Sequence, residues 1–188
     1  MLTSYAIPTR YKGIQYRSRL EARWAAFFDL AGWHVEYEPV DFNGWIPDFA
    51  IIESSLVYVE IKPTHVFPVE VAQKIDRSGC EEDVLILGNI LFPICEDPGS
   101  FYPGFGWLGE WIDEPKYRCW SAAQGGMWRQ STPRQSVDRL GFCHAYQSFH
   151  DRITGLDSSC REQNGLWLLQ HYWKTAGNQV QWYPRRVL

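Results

Sequence analysis

Two short segments, IPDFAII at residues 46–52 and VYVEIKP at residues 57–63, decide how this chain folds. Each is rich in β-branched and aromatic residues and contains a proline near one end, which is typical of a β-strand. Side chains alternate between the two faces of a strand, so Glu60 and Lys62 are expected on one face and Val57, Val59 and Ile61 on the other. If the two segments pair, Asp48 reaches the same patch from the neighbouring strand. Two carboxylates and a lysine are costly to bury together unless a cation or a substrate compensates them, so they predict a functional site.

A helix is predicted before these strands. The run YRSRLEARW at residues 16–24 places Ser18 and Glu21 at the spacing of a capping box, and good helix formers continue to Gly32. Glu21 lies beside the apolar stripe of this helix, on the flank that it shares with Phe28, because each residue advances a helix by about 100°. Two interpretations follow: Glu21 caps its own helix, or it reaches over the edge of the sheet to the other carboxylates. The stripe expected to be buried comprises Leu20, Trp24, Phe27 and Ala31.

The order of these acidic residues resembles a known pattern. Pro47-Asp48, eleven further residues, and then Glu60-Ile61-Lys62 resemble the motif of the PD-(D/E)xK nuclease superfamily. The run at 16–24 resembles the first helix of many members, which carries one more acidic residue. A lone Pro-Asp or Glu-x-Lys arises by chance in most proteins, whereas the ordered set is much more specific. The likeness covers residues 10–90 and implies a restriction-endonuclease-like, Holliday-junction-resolvase-like αβββαβ core with a mixed central sheet flanked by helices.

The resemblance also implies an activity, namely a Mg²⁺-dependent DNA endonuclease of phage or mobile-element origin, with Mn²⁺ as a substitute cation. Mg²⁺ prefers oxygen ligands and keeps several waters, so two or three carboxylates suffice for its site. Lys62 is expected to orient the attacking water and to offset negative charge on the phosphate. The implied catalytic residues are Glu21, Asp48, Glu60 and Lys62, and the implied metal ligands are Asp48, Glu60, the Ile61 backbone carbonyl and Glu21. The residues expected to contact DNA are Lys12, Arg17, Arg19, Gln73 and Lys74.

A second class of function remains open, a non-catalytic DNA-binding or assembly module that retains the nuclease fold. Glu-x-Lys on a strand is, taken alone, most often a solvent-facing salt bridge. The complete set of Asp48, Glu60 and Lys62 favours the enzyme. Divalent-cation binding would separate the two.

The remaining elements are predicted from periodicity and from turn residues. An alternating strand is expected over residues 34–38, a helix over 69–77, and a short strand buried on both faces over 83–88. The last strand is expected to lie parallel to the Glu-x-Lys strand through a right-handed crossover. These elements form a core over residues 1–92.

Residues 93–188 are predicted to form an aromatic-rich extension that packs on this core and binds DNA, a partner protein or a second copy. An aromatic hairpin is expected from 105–111 and 116–120, a polar loop over 121–136, and a helix over 162–175 that Gly177 ends.

Composition limits the partners of the chain. The net charge of −4 argues against a protein that coats DNA by charge alone, although it does not exclude a nuclease whose acidic site is neutralised by metal ions. No apolar run reaches about 18 residues and no signal-peptide pattern is present, so a cytoplasmic protein without a membrane partner is expected. Five widely spaced cysteines favour reduced thiols over disulfides. A metal site drawn from Cys143, His144, His150 and Cys160 is the alternative.

Overall fold

The computed structural model describes residues 6–93, 103–131, 136–144, 150–157, 161–162 and 166–181. The helices are α1 (Arg19–Ala31), α2 (Val69–Asp76) and α3 (Leu166–Gln179). The strands are β1 (Thr9–Tyr11), β2 (Ile14–Tyr16), β3 (Val35–Tyr37), β4 (Phe49–Ile52), β5 (Leu56–Ile61), β6 (Asp83–Leu87), β7 (Phe92–Pro93), β8 (Pro103–Ile112), β9 (Tyr117–Ser131), β10 (Ser136–His144) and β11 (Arg161–Glu162).

The protein is an α/β structure built on one mixed sheet. Seven strands follow the order β10-β9-β8-β6-β5-β4-β3, while β7 pairs with β8, β11 pairs with β9, and β1 and β2 form a separate hairpin. β5 and β6 are parallel and α2 lies in the connection between them, as the sequence predicts. β3 with β4, β4 with β5, and β6 with β8 are antiparallel. After the β1–β2 hairpin, the first half of the chain runs in the order α1, β3, β4, β5, α2, β6.

Apolar side chains lie on both faces of this sheet. Val59 of β5 belongs to a large cluster with Phe27 of α1 and Leu169 of α3. A smaller cluster on the other face contains Ile75 of α2 and Ile86 of β6. The predicted alternation along β5 is confirmed, because Val57, Val59 and Ile61 all join the large cluster while Tyr58 packs against the small one.

The local sequence of α1 fixes both of its ends. The Ser18 side chain accepts a hydrogen bond from the Glu21 N–H, and Gly32 ends the helix at φ 69°, a conformation that favours glycine. Trp24 and Phe27 are buried as predicted, but Leu20 and Ala31 are only partly buried. The buried face is wider than the predicted stripe and includes Glu21, Ala22, Ala25, Ala26 and Phe28.

The second half of the chain extends the same sheet. The predicted aromatic hairpin is confirmed as the antiparallel pair β8–β9, in which Trp107 lies opposite Ala122 and Trp120 opposite Gly109. The predicted boundary between residues 92 and 93 stays a prediction. Within the described part of the chain, no helix has the length and apolar character needed to cross a membrane.

Two predictions in this half are wrong, and glycines explain both. The loop predicted over 121–136 is largely strand, because β9 continues to Ser131 and pairs with β10. Gly125 on β9 reads as a turn residue, yet a Cβ there would lie 3.1 Å from Leu169 of α3. The helix predicted over 162–175 begins only at Leu166, since Glu162 belongs to β11, and it continues past Gly177 to Gln179. Gly177 makes room for the Arg23 guanidinium, 3.0 Å from where its Cβ would be. Both glycines serve close packing rather than a change of chain direction.

Gly141 on β10 gives a test of this packing. A Cβ at Gly141 would overlap the Asp151 carboxylate, which is fixed because it accepts hydrogen bonds from the Phe142 and Thr154 backbone N–H groups at 2.7 Å each. We expect Gly141→Ala to lower the free energy of unfolding by about 3 kcal/mol, the upper range for overpacking. Gly125→Ala meets only a Leu169 methyl group, which can move, so about 1 kcal/mol is expected. Urea unfolding of both variants measures this, and an equal or larger loss for Gly125→Ala would contradict the assignment.

Candidate functional site

The register of two neighbouring strands brings predicted site residues together at one end of the β4–β5 pair. Phe49 of β4 lies opposite Val59 of β5, so the next pair along this register is Asp48 and Glu60. The N-terminal turn of α1 lies beside this end of the sheet. A cleft of about 310 Å³ opens there, and its lining includes Arg17, Glu21, Asp48, Glu60, Lys62 and Lys74. The structure thus gathers all four predicted catalytic residues in one cleft.

Asp48 is 4% exposed and is held by two donors. Its Oδ2 accepts a hydrogen bond from the Ile61 backbone N–H at 2.6 Å, and its Oδ1 accepts one from Arg17 Nη2 at 2.7 Å. The Glu38 N–H donates to the Asp48 carbonyl at 3.0 Å, which joins this residue to the end of β3. The carboxylate is therefore fixed between the adjoining strand and the start of α1.

Glu60 is 6% exposed and also has two partners. The Trp45 indole Nε1–H donates to Glu60 Oε2 at 2.9 Å, and the Lys62 ammonium pairs with Oε1. The predicted shared face of Glu60 and Lys62 is confirmed by this ion pair. Trp45 is itself buried, so the orientation of Glu60 is set by a rigid neighbour.

The pKa of Asp48 reflects its burial and its charged neighbours. Burial raises the pKa of Asp48 to about 7, and the nearby Glu60 and, more weakly, Glu21 push it in the same direction. The Ile61 N–H and the Lys62 ammonium oppose this rise. The Arg17 guanidinium at 2.7 Å also favours the ionised carboxylate. The net shift is upward, because burial of Asp48 is the largest effect and the Arg17 side chain is more than half exposed to solvent. Burial of Asp48 close to Glu60 therefore disfavours its charged form, although each of the two carboxylates has a cationic partner.

Glu21 has the contacts of a helix cap and the position of a site residue. Its Oε2 accepts hydrogen bonds from the Tyr37 hydroxyl at 2.8 Å and from the Arg17 N–H at 3.2 Å, one residue before the expected Ser18. Glu21 is 7% exposed and lines the cleft. Burial, together with the bond to Glu21, raises the pKa of Tyr37 to about 12, so its hydroxyl stays a neutral donor. Both interpretations of Glu21 remain compatible with these contacts.

The five residues predicted to contact DNA divide into two groups. Arg17 and Lys74 line the cleft, although Arg17 is engaged with Asp48. Lys12 pairs with Asp29 at 2.6 Å and lines a different groove, beside the β1–β2 hairpin. Arg19 and Gln73 are exposed and lie outside the set that lines the cleft. Of the five, the structure brings two to the site.

Three partners of the carboxylates escape sequence reasoning, namely Trp45, Tyr37 and Arg17 in its pairing with acids. Trp45 stands in the turn that precedes Pro47, where the pattern indicates only a change of direction. The one feature of the sequence that could have indicated a role for Trp45 is its position two residues before Pro47. Tyr37 is the last residue of β3, and Arg17 directly precedes Ser18, the N-cap of α1. The contacts of both residues depend on how α1 packs on the sheet.

The donor set of the cleft fits a hard divalent cation. Two buried carboxylates offer the oxygen ligands that Mg²⁺ prefers, and the Ile61 backbone lies in the same lining. Among the described residues, no group of three or more His, Cys, Asp or Glu side chains is arranged to hold a metal ion. The predicted three-carboxylate set therefore stays a prediction. The alternative set of Cys143, His144, His150 and Cys160 includes one residue, Cys160, outside the described ranges.

Comparisons with known proteins add no further constraint. No family model, curated protein or solved structure matches the chain.

Proposed function

We propose that this protein is a metal-dependent DNA endonuclease with a restriction-endonuclease-like core of the PD-(D/E)xK type. The observation that carries the proposal is the pairing of two buried carboxylates, Asp48 and Glu60, in one cleft with the Lys62 ammonium. The order α1, β3, β4, β5, α2, β6, with β5 parallel to β6, supports it. A carboxylate in a cleft whose pKa is raised by burial and by a neighbouring acid is typical of a functional site.

Each residue of the cleft has a distinct role in the proposed hydrolysis. Asp48, Glu60 and the Ile61 backbone carbonyl would hold Mg²⁺, which supplies a Lewis acid and lowers the pKa of water. The Lys62 ammonium pairs with Glu60, and from there it would stabilise negative charge on the phosphate and orient the attacking water. The Trp45 N–H holds the Glu60 carboxylate in one orientation. Lys74, on the same lining, is placed to bind a neighbouring phosphate of the DNA.

A titration with divalent cations tests the proposal. We expect Mg²⁺ and Mn²⁺ to raise the melting temperature, because a ligand that binds only the folded state stabilises it by about 2.7 kcal/mol at a hundredfold excess over Kd. Both cations should support cleavage of plasmid and linear DNA. Ca²⁺ should support DNA binding with little turnover, since it activates water less well.

Three variants make the titration specific. Asp48→Asn and Glu60→Gln should lose the cation-induced melting shift, whereas Glu36→Gln, an exposed carboxylate outside the cleft lining, should keep it. Full cleavage in excess EDTA would contradict the proposal.

A non-catalytic DNA-binding module remains the second candidate, and one observation favours it. The carboxylates already have internal cationic partners, since Arg17 contacts Asp48 and Lys62 pairs with Glu60. Such pairs also occur as structural ion-pair networks. This candidate predicts DNA binding that is independent of divalent cations and no cleavage under any of the conditions above.

A further inference from the structure

Arg17 lies among three carboxylates at the edge of the cleft. Its Nη2 is 2.7 Å from Asp48 Oδ1, its Nε is 2.9 Å from Glu38 Oε1, and the same Nε is 4.0 Å from Glu21 Oε2. Glu38 adopts φ 47°, a backbone conformation that residues other than glycine rarely take. Glu38 has this unusual conformation and contacts Arg17. The three carboxylates come from α1, from the residue after β3 and from the residue before β4.

The contact between Arg17 and Asp48 joins an exposed side chain to a buried one. The Arg17 side chain is 56% exposed, whereas the Asp48 side chain is 6% exposed. Asp48 Oδ2 is bound to the Ile61 N–H and Oδ1 to Arg17, so Oδ1 becomes open to the cleft only when the guanidinium moves away. A guanidinium on a long side chain can leave this oxygen for solvent without any movement of the backbone.

We propose that Arg17 is an internal counter-ion that occupies Asp48 Oδ1 in the cation-free protein and leaves it when a divalent cation binds. The inference rests on the proposed function, because it assigns Asp48 to a cation. Arg17 is thus a positioning residue whose competition with the cation sets the apparent affinity of the site. The Arg17–Asp48 contact exists only in the cation-free state. It therefore weakens cation binding to the same extent as it stabilises that state.

The released guanidinium has a second use. Its planar fork of donors matches the oxygens of a phosphate, and Arg17 already lines the cleft. Glu38 lies beside Nε at the same edge, so the guanidinium can swing away from Asp48 as one planar unit and stay near the cleft. Cation binding and phosphate binding are therefore coupled through the same side chain.

Calorimetric titration of the full chain with Mg²⁺ and with Ca²⁺, in the absence of DNA, tests the competition. Arg17→Gln should bind each cation at least about tenfold more tightly than the parent at low salt, since one charge-assisted hydrogen bond no longer competes. Arg17→Lys keeps the charge with a poorer geometry and should show a smaller gain. Arg19→Gln removes the same charge two residues away, from an exposed side chain outside the cleft lining, and should bind like the parent.

DNA binding in Ca²⁺ gives the second readout. Arg17→Gln should bind a short duplex more weakly than the parent, although it binds the cation more tightly. If Arg17→Gln does not fold, Arg17→Lys and the guanidinium NMR resonances of Arg17 in the parent, followed during the Ca²⁺ titration, still report the exchange of partners.

The outcomes separate this inference from the proposed function. A parent that binds cations, together with an Arg17→Gln variant of equal or lower affinity, would overturn the counter-ion role and leave the nuclease proposal standing. Absence of cation binding by the parent and by Arg17→Gln would overturn both.

Discussion

Asp48→Asn is expected to remove metal-dependent cleavage, by about a hundredfold or more, while the protein stays folded. The side-chain amide keeps one oxygen, which can still accept the hydrogen bond from the Ile61 N–H. The substitution also removes a buried charge that Glu60 disfavours, and this offsets the lost contact with Arg17. We expect the free energy of unfolding to remain within about 1 kcal/mol of the parent, because the two effects oppose each other.

Asp48→Ala is the matched control for this result. Alanine has no acceptor for the Ile61 N–H, which is buried in the sheet, so a loss of about 1–3 kcal/mol is expected. Chemical unfolding and single-turnover cleavage measure the two properties separately. If Asp48→Asn loses as much free energy of unfolding as Asp48→Ala, the negative charge itself stabilises the fold, through its pair with Arg17.

Local pattern was sufficient to predict the centre of the sheet, because alternation is decided within a single strand. The faces of β5, the pairing of Glu60 with Lys62 and the parallel return of β6 all follow from such patterns. Residues that pack across elements were harder to predict. Gly125 and Gly177 are residues typical of turns. Only the position of the neighbouring helix shows that each glycine allows a close contact.

The same distinction applies to the candidate site. Asp48 and Glu60 are close because strand register places them opposite each other, and register follows from the apolar pattern. The partners that orient them depend on tertiary packing instead. Lys12 and Arg17 have the same charge and lie five residues apart in the sequence, yet one pairs with Asp29 on a separate groove and the other reaches Asp48. Charge alone does not distinguish them.

Glu21→Gln is expected to leave the fold intact and to lower cleavage by about a hundredfold or more, the scale for loss of a positioned catalytic group. Glu21 Oε2 accepts hydrogen bonds from the Tyr37 hydroxyl and the Arg17 N–H, and the Gln side-chain oxygen can accept both. The Ser18 cap is unaffected, because it uses the backbone N–H of residue 21. The change in stability should therefore stay within about 1 kcal/mol, mainly from the lost interaction of a negative charge with the helix N-terminus.

Two further variants separate charge from hydrogen bonding at Glu21. Tyr37→Phe removes one donor and keeps the Glu21 charge, so cleavage should stay near the parental rate while stability falls by about 1 kcal/mol. Glu21→Asp keeps the charge but shortens its reach, and an intermediate rate is expected if distance to the cation matters. Melting curves and single-turnover cleavage in Mg²⁺ measure the set. If Glu21→Gln cleaves at the parental rate, Glu21 is a helix cap whose position beside the cleft has no part in the chemistry.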